Sequence, residues 1–249
     1  ELFGERALNA DKALRRHRFR QRAELALSRL NATEQQLLAD YSRGVNEGLA
    51  ALNLPPFEYL LLRQTPTNWQ AADSFLIIYS MYLDLQGKLG SDDYAMTVLQ
   101  QHVPADWYRF LQQESDIWQA ALDNSVTAPV ALPDTAYPQL LRQQLNACNQ
   151  CQVKDATDIG SNNFAVSGQL TKDGRAIVAD DMHLGLRAPN IWFRAHLKIG
   201  KAIEVSGFTL PGIPSVIVGS NRHVAWGFTN TAPDVQDLFI EQIKAGKPL

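Results

Sequence analysis

Near residue 160 the spacing of apolar residues changes from the three-and-four interval of a helix to the alternation of a strand. A chain that places helices first and strands second segregates the two, which predicts an α+β fold rather than a doubly wound one. Residues 5 to about 122 read as helix. Ala7 to Leu30, rich in Ala, Leu and Arg and free of Pro and Gly, predicts one long helix. Thr33 opens the next as N-cap, with Gln36 placed for a capping box, and Leu37, Leu38, Tyr41 and Val45 carry it until it fades near Gly48. Pro55, Pro56 and Pro66 mark a loop. Asp73 to Gln86 is apolar nearly all round and predicts a buried helix, followed by helices over Asp92 to Gln101 and Trp107 to Leu122.

Between Asn124 and Asp158 the composition shifts to Pro129, Pro133, Pro138 and small polar residues, the pattern of a linker or processed spacer with one short helix over Gln139 to Asn149. Six strand-like runs follow, over Phe164–Val166, Arg175–Ala179, Ile191–Ile199, Ala202–Val205, Ser215–Val218 and Val224–Phe228. Each is bounded by Gly, Pro, Asn or Asp, and together they predict antiparallel sheet. The expected organisation is a helical part over 1–123, a linker or spacer over 124–160 and a β-rich part over 161–249.

Charge narrows the function. A formal net charge of −3 over 249 residues offers no field suited to nucleic acid. The one basic cluster, Arg15 to Arg22, reads as a solvated helix face. No apolar run reaches the ~18 residues of a membrane span, the longest being Phe75 to Leu83. Glu1-Leu2-Phe3-Gly4 lacks the basic and apolar regions of a signal segment, so either the protein is cytoplasmic or the sequence begins after such a segment. Cys148 and Cys151 cannot complete a zinc site alone; a small local disulfide or two idle thiols account for them better than a redox motif does.

The sequence contains no G-x-S-x-G elbow, H-E-x-x-H, P-loop or G-x-G-x-x-G. Gly160-Ser161-Asn162-Asn163 stands where spacer meets sheet. Alone it is a turn. At that junction, however, a self-cleaving hydrolase would place its nucleophile. A cut before Ser161 frees an α-amine with a pKa of about 8, a base within reach of the same residue's hydroxyl. Gly160, lacking Cβ, leaves its carbonyl open to attack.

Six stretches in order resemble the penicillin acylase family of N-terminal-nucleophile hydrolases. They are Tyr41-Ser42-Arg43-Gly44-Val45-Asn46; Trp69-Gln70-Ala71-Ala72-Asp73-Ser74; Gly160 to Val166; Asp180-Asp181-Met182-His183-Leu184-Gly185; Pro211-Gly212-Ile213-Pro214; and Ala225 to Asn230 followed by Asp234 to Phe239. The resemblance covers nearly the whole chain. It implies an αββα sandwich, two antiparallel sheets between helical layers, and small and large subunits cut from one precursor at Gly160–Ser161.

The resemblance also implies roles. Ser161 is nucleophile and, through its amine, base. His183 matches the position beside the nucleophile, histidine in acyl-homoserine-lactone and cephalosporin-type members and glutamine in penicillin G acylases, so it leans away from penicillin G. Asn230 matches the residue whose backbone N–H helps form the oxyanion hole, a donor contributing roughly a few kcal/mol. Asp234 and Asp237, with the Gln236 carbonyl, match a calcium site, and a solvated acidic turn is the competing reading. A further ligand would be Asp92 or Asp93. Met81 and Leu85, one turn apart, align with acyl-pocket residues, and their spacing equally suits core.

The family's large subunit is several hundred residues long, and the asparagine side chain that completes its oxyanion hole, with an arginine near it, lies beyond the position of Leu249. The expectation is a fragment of a longer periplasmic or secreted precursor with unpaired sheet edges. The expected activity is hydrolysis of a small-molecule N-acyl amide of penicillin, cephalosporin or acyl-homoserine-lactone type. The alternative is a non-catalytic relative that binds such a ligand with its chain uncut.

Overall fold

The computed structural model describes residues 4–86, 89–112, 123–125, 128–136, 160–185, 188–230, 235, 237–239, 243–244 and 247–248. They form a mixed α+β structure in two compact units: Glu1–Leu85 with Ile159–Thr231, and Gln86–Asp158 with Ala232–Leu249. Among the described residues, no helix is long and apolar enough to cross a membrane.

In the first unit the predicted long helix is two helices, α1 (Leu8–Arg15) and α2 (Phe19–Arg29). The break falls at Arg18, whose backbone is left-handed at φ 52°. Tertiary packing overrides helix propensity here. Turning the chain lets Phe19 stack between His17 and Tyr79, at centroid distances of 4.8 and 5.0 Å, and sinks Ala23 completely. Arg20 also reaches Asp73 at 2.6 Å. These contacts offset the roughly 1–2 kcal/mol cost of a left-handed non-glycine residue.

Helix α3 (Ala32–Ala50) starts two residues earlier than Thr33 would allow as its cap. Asn31 is the N-cap: its side chain accepts from the Glu34 N–H, and the Glu34 carboxylate accepts from the Asn31 N–H, both at 3.0 Å. Thr33–Gln36 and Asn31–Glu34 both fit the capping-box spacing, and the stronger cap residue with the acidic partner prevails. The proline-marked loop contains a short helix, α4 (Phe57–Leu62), with Pro56 before its first turn. Helix α5 (Asp73–Gln86) has the expected bounds.

The sheets of this unit are antiparallel. Strands β1 (Gly160–Val166) and β2 (Ile177–His183) form a two-stranded ladder; β3 (Phe193–Ile199), β4 (Ile203–Thr209), β5 (Val218–Ser220) and β6 (Ala225–Trp226) form a four-stranded one in that order. All six expected strands are found with shifted bounds: β1 begins earlier, at Gly160, β3 later, at Phe193, β2 runs from Ile177 on to His183 and β4 to Thr209, β5 is displaced to Val218–Ser220, and β6 is shorter. The β3–β4 hairpin turns at Gly200, whose φ of 57° favours glycine. Its register puts Phe193, Ala195, Leu197 and Ile199 on one face with Ile203 and Val205, and Arg194, His196 and Lys198 on the other with Glu204.

Helix and sheet meet within this unit. The Asn46 side chain clamps Trp69, donating to its carbonyl at 3.0 Å and accepting from its N–H at 2.7 Å. The Gly212 N–H donates to the Tyr41 hydroxyl at 3.1 Å. Gly212 has φ 102°, and a Cβ there would lie 2.8 Å from Ile77 and 2.9 Å from Trp69, so only glycine fits.

The second unit holds α6 (Leu89–His102) and α7 (Ala105–Leu111), with Val103 and Trp107 buried, and a two-stranded ladder of β7 (Ile243–Lys244) and β8 (Lys247–Pro248). Trp107 Nε1 donates to the Thr135 carbonyl at 3.2 Å, and the Thr135 hydroxyl to Asp106 at 2.7 Å. The Asp106 carboxyl is held below its usual range, first by that hydroxyl. Of the helix expected over Trp107 to Leu122, α7 accounts for the part up to Leu111; residues 113–122, the helix expected over Gln139–Asn149, and Cys148 and Cys151 lie outside the described residues.

Candidate active site

Gly160 and Ser161 are the first two residues of β1, paired with His183 and Met182. Directly opposed residues of an antiparallel ladder share a face, and every second residue returns to it. Ser161, Asn163, Met182 and Asp180 therefore lie on one face of the β1–β2 ladder.

A second segment crosses that face. It leaves β6, where Trp226 is anchored by its indole N–H on the Val216 carbonyl at 3.1 Å. Gly227 then lies against Asn163 and Asp180, whose side chains are joined by a 3.0 Å hydrogen bond from the Asn163 amide. Three residues on, the Asn230 backbone N–H donates to Ser161 Oγ at 2.9 Å. A carbonyl carbon bonded to Oγ would place its own oxygen in reach of that N–H. The geometry is that of a hydroxyl nucleophile beside a fixed backbone donor.

The other expected residues are placed unevenly. His183 stands opposite Gly160 in the ladder, and its side chain lies outside the described residues. Asp234 and Gln236 also lie outside them; Asp237 is exposed and belongs to the second unit. Asp93 is half-buried on α6, and the Asp92 side chain lies outside the described residues. Among the described residues no group of three or more His, Cys, Asp or Glu could hold a metal. The carboxyls held below their usual range include Asp40, by the Gln36 amide and then Arg43, and Asp173, by Arg175; these are local surface pairs.

Met81 lines a cavity of about 490 Å³ with Ile77, Ser80, Leu83, Asp84, Ile191, Leu210 and Pro211. Leu85 is half-buried on the same helix and does not line it. A second, more apolar cavity of about 690 Å³ lies between Tyr41, Val45, Trp69 and Ile77 on the helical side and Phe193, Leu197 and Ile213 on the sheet side.

Two elements escaped the sequence reading. The Asn163–Asp180 pair and the Asn46–Trp69 clamp both lie inside the motifs that carried the family resemblance, yet nothing in their spacing predicted that each would bond its partner.

The penicillin amidase family profile matches residues 1–249, the whole chain. An acyl-homoserine lactone acylase, QuiP, of Pseudomonas aeruginosa is 27% identical over 98% of this chain and 29% of its own length. QuiP of Pseudomonas syringae pv. syringae is 28% identical over 98% of this chain and 30% of its length. Penicillin acylase 2 proenzyme of Pseudomonas sp. is 28% identical over 97% of this chain and 31% of its length. The chain thus spans less than a third of these relatives. No solved structure matches it.

Proposed function

The chain belongs to the penicillin amidase family, and from that premise we propose that it carries the nucleophile of a self-processing amidohydrolase that cleaves an N-acyl amide bond. The observation that carries this reading is the 2.9 Å hydrogen bond from the Asn230 N–H to Ser161 Oγ. It supports Ser161 over the other serines because it supplies the electrostatic partner that a developing oxyanion needs.

The proposed chemistry has two stages. In the first, Ser161 Oγ attacks the Gly160 carbonyl; the Gly160–Ser161 amide breaks, an ester to Oγ forms, and water hydrolyses it, freeing the Ser161 amine. In the second, that amine takes the proton from Oγ as Oγ attacks the substrate amide. The Asn230 N–H holds the oxyanion, the proton passes to the leaving amine, and water releases the acid from the acyl-enzyme. His183 is assigned beside the nucleophile on its family position. Within the αββα sandwich proposed for the family, β1 and β2 supply part of one sheet.

The substrate class rests on the relatives, named as acylases of acyl-homoserine lactones and of penicillin. We assign the larger weight to an acyl-homoserine-lactone type amide, because His183 replaces the glutamine of penicillin G acylases. The Met81 cavity is the assigned acyl pocket. Calcium stays in the proposal through donor chemistry: two carboxylates and a carbonyl from Asp234, Gln236 and Asp237 suit a hard cation, whose contribution would be structural. A periplasmic or secreted location follows from the family likeness.

The test is intact mass with N-terminal sequencing of the full-length protein. A new terminus reading Ser-Asn-Asn-Phe-Ala-Val is expected. A chain that stays uncut overturns the reading in favour of a relative that binds its ligand without cleaving it.

A further inference from the structure

We infer that Asn163, Asp180 and Gly227 form a brace that sets the position of the Asn230 N–H against Ser161, making them positioning residues for the reaction proposed above, on which this inference rests. The brace begins as a rung of the β1–β2 ladder, where Asn163 opposes Asp180 and donates to its Oδ1 at 3.0 Å. Gly227 rests directly on that rung. A Cβ at 227 would lie 2.4 Å from Asn163 Nδ2, 2.7 Å from Asp180 Oδ1 and 2.8 Å from Asp180 Cβ. The backbone is therefore seated at a height that no other residue allows.

The rung and the reacting hydroxyl are close along the strand. Ser161 is two residues before Asn163 on the same face, roughly 6.6–6.8 Å away. The overlying chain covers the same interval between Gly227 and Asn230, three residues that could reach up to about 11 Å if fully extended. That slack would let Asn230 drift unless one point of the segment were fixed. Contact at Gly227 fixes it, and Asn230 then meets Ser161 Oγ at 2.9 Å.

The pair is poorly explained as a stabilising contact. Asp180 Oδ2 is buried without a hydrogen-bond partner among the described residues, and an unsatisfied buried polar atom costs stability. Seating a backbone at a set distance accounts for the arrangement.

The experiment measures kcat and KM of the full-length protein for an N-acyl p-nitroanilide, per mole of processed chain, alongside melting temperature. Asn163→Asp sets two carboxylates against each other and should lower kcat about 10- to 100-fold, part of what losing an oxyanion donor costs, with KM nearly unchanged. The exchange Asn163→Asp with Asp180→Asn restores one donor and one acceptor, and should recover kcat to within about threefold of the parent. Gly227→Ala should lower kcat as Asn163→Asp does.

Parental kcat in Asn163→Asp or in Gly227→Ala overturns the brace, and so does an exchange that fails to recover. If Asn163→Asp does not fold, Gly227→Ala decides alone. A Ser161→Ala control, read per mole of total chain because it should stay uncut, separates the two layers. An inert control beside a fully active Asn163→Asp removes only the brace, whereas a control that still turns over removes the nucleophile and the brace with it.

Discussion

The Asn230 backbone N–H and Ser161 Oγ lie 2.9 Å apart across 69 positions of sequence, joined by two segments that cross at one ladder face. Because the donor is backbone, the Asn230 side chain is not needed for that role. Asn230→Ala should keep kcat within about threefold, whereas Asn230→Pro, which deletes the N–H, should lower it about 10²- to 10³-fold at similar melting temperature. Equal effects of the two would place the function in the side chain instead.

Self-cleavage needs a nucleophile, not serine as such. Ser161→Cys should still cut before residue 161, and Ser161→Ala should remain one chain, as read by denaturing electrophoresis and mass. Cleavage of the alanine variant at the same bond would point to another nucleophile or a contaminating protease.

The pH profile of the processed protein should report the freed amine. The active form is the neutral amine, so kcat/KM should climb tenfold per pH unit below an apparent pKa of about 8 and level off above it. Selective acetylation of that amine should abolish turnover. A profile flat from acid to neutral pH would argue against the amine as base.

The Asn46 clamp makes a stability prediction. Asn46→Ala leaves the Trp69 N–H and carbonyl without their partner and should cost about 1–3 kcal/mol in denaturant unfolding. Tyr41→Phe, which removes a single acceptor from the Gly212 N–H, should cost about 0.5–1.5 kcal/mol.

Met81 and Leu85 should separate. Met81→Trp narrows the cavity that Met81 lines and should shift preference toward shorter acyl chains by about tenfold. Leu85→Ala, away from that lining, should act on stability without changing acyl preference. Matching shifts in chain-length preference from both variants would mean that the cavity is not the acyl pocket.

The parts of the fold that were legible in the sequence are those fixed by local periodicity. The bounds of α5 followed from a stretch that is apolar nearly all round between Asp73 and Gln86, and the change from helix to antiparallel sheet near Gly160 followed from the change of period. What local pattern could not show was decided by distant partners. The break at Arg18 depends on Tyr79, and the seat of Gly227 on Asn163 and Asp180. Ser161 was legible because a junction and a glycine flank it. Asn163, two residues on, read as a turn residue, because its partner Asp180 is 17 positions away.

The pairing of Ser161 with Met182, continued through Val166 with Ile177, has a consequence for what a cut before Ser161 would leave behind. Newly made chain ends ordinarily fray, and a frayed amine samples many places before it finds a proton to take. Here the end would be born already woven into a ladder, held rung by rung from its first residue. The break would unlock a chemical group without loosening the ground on which it stands.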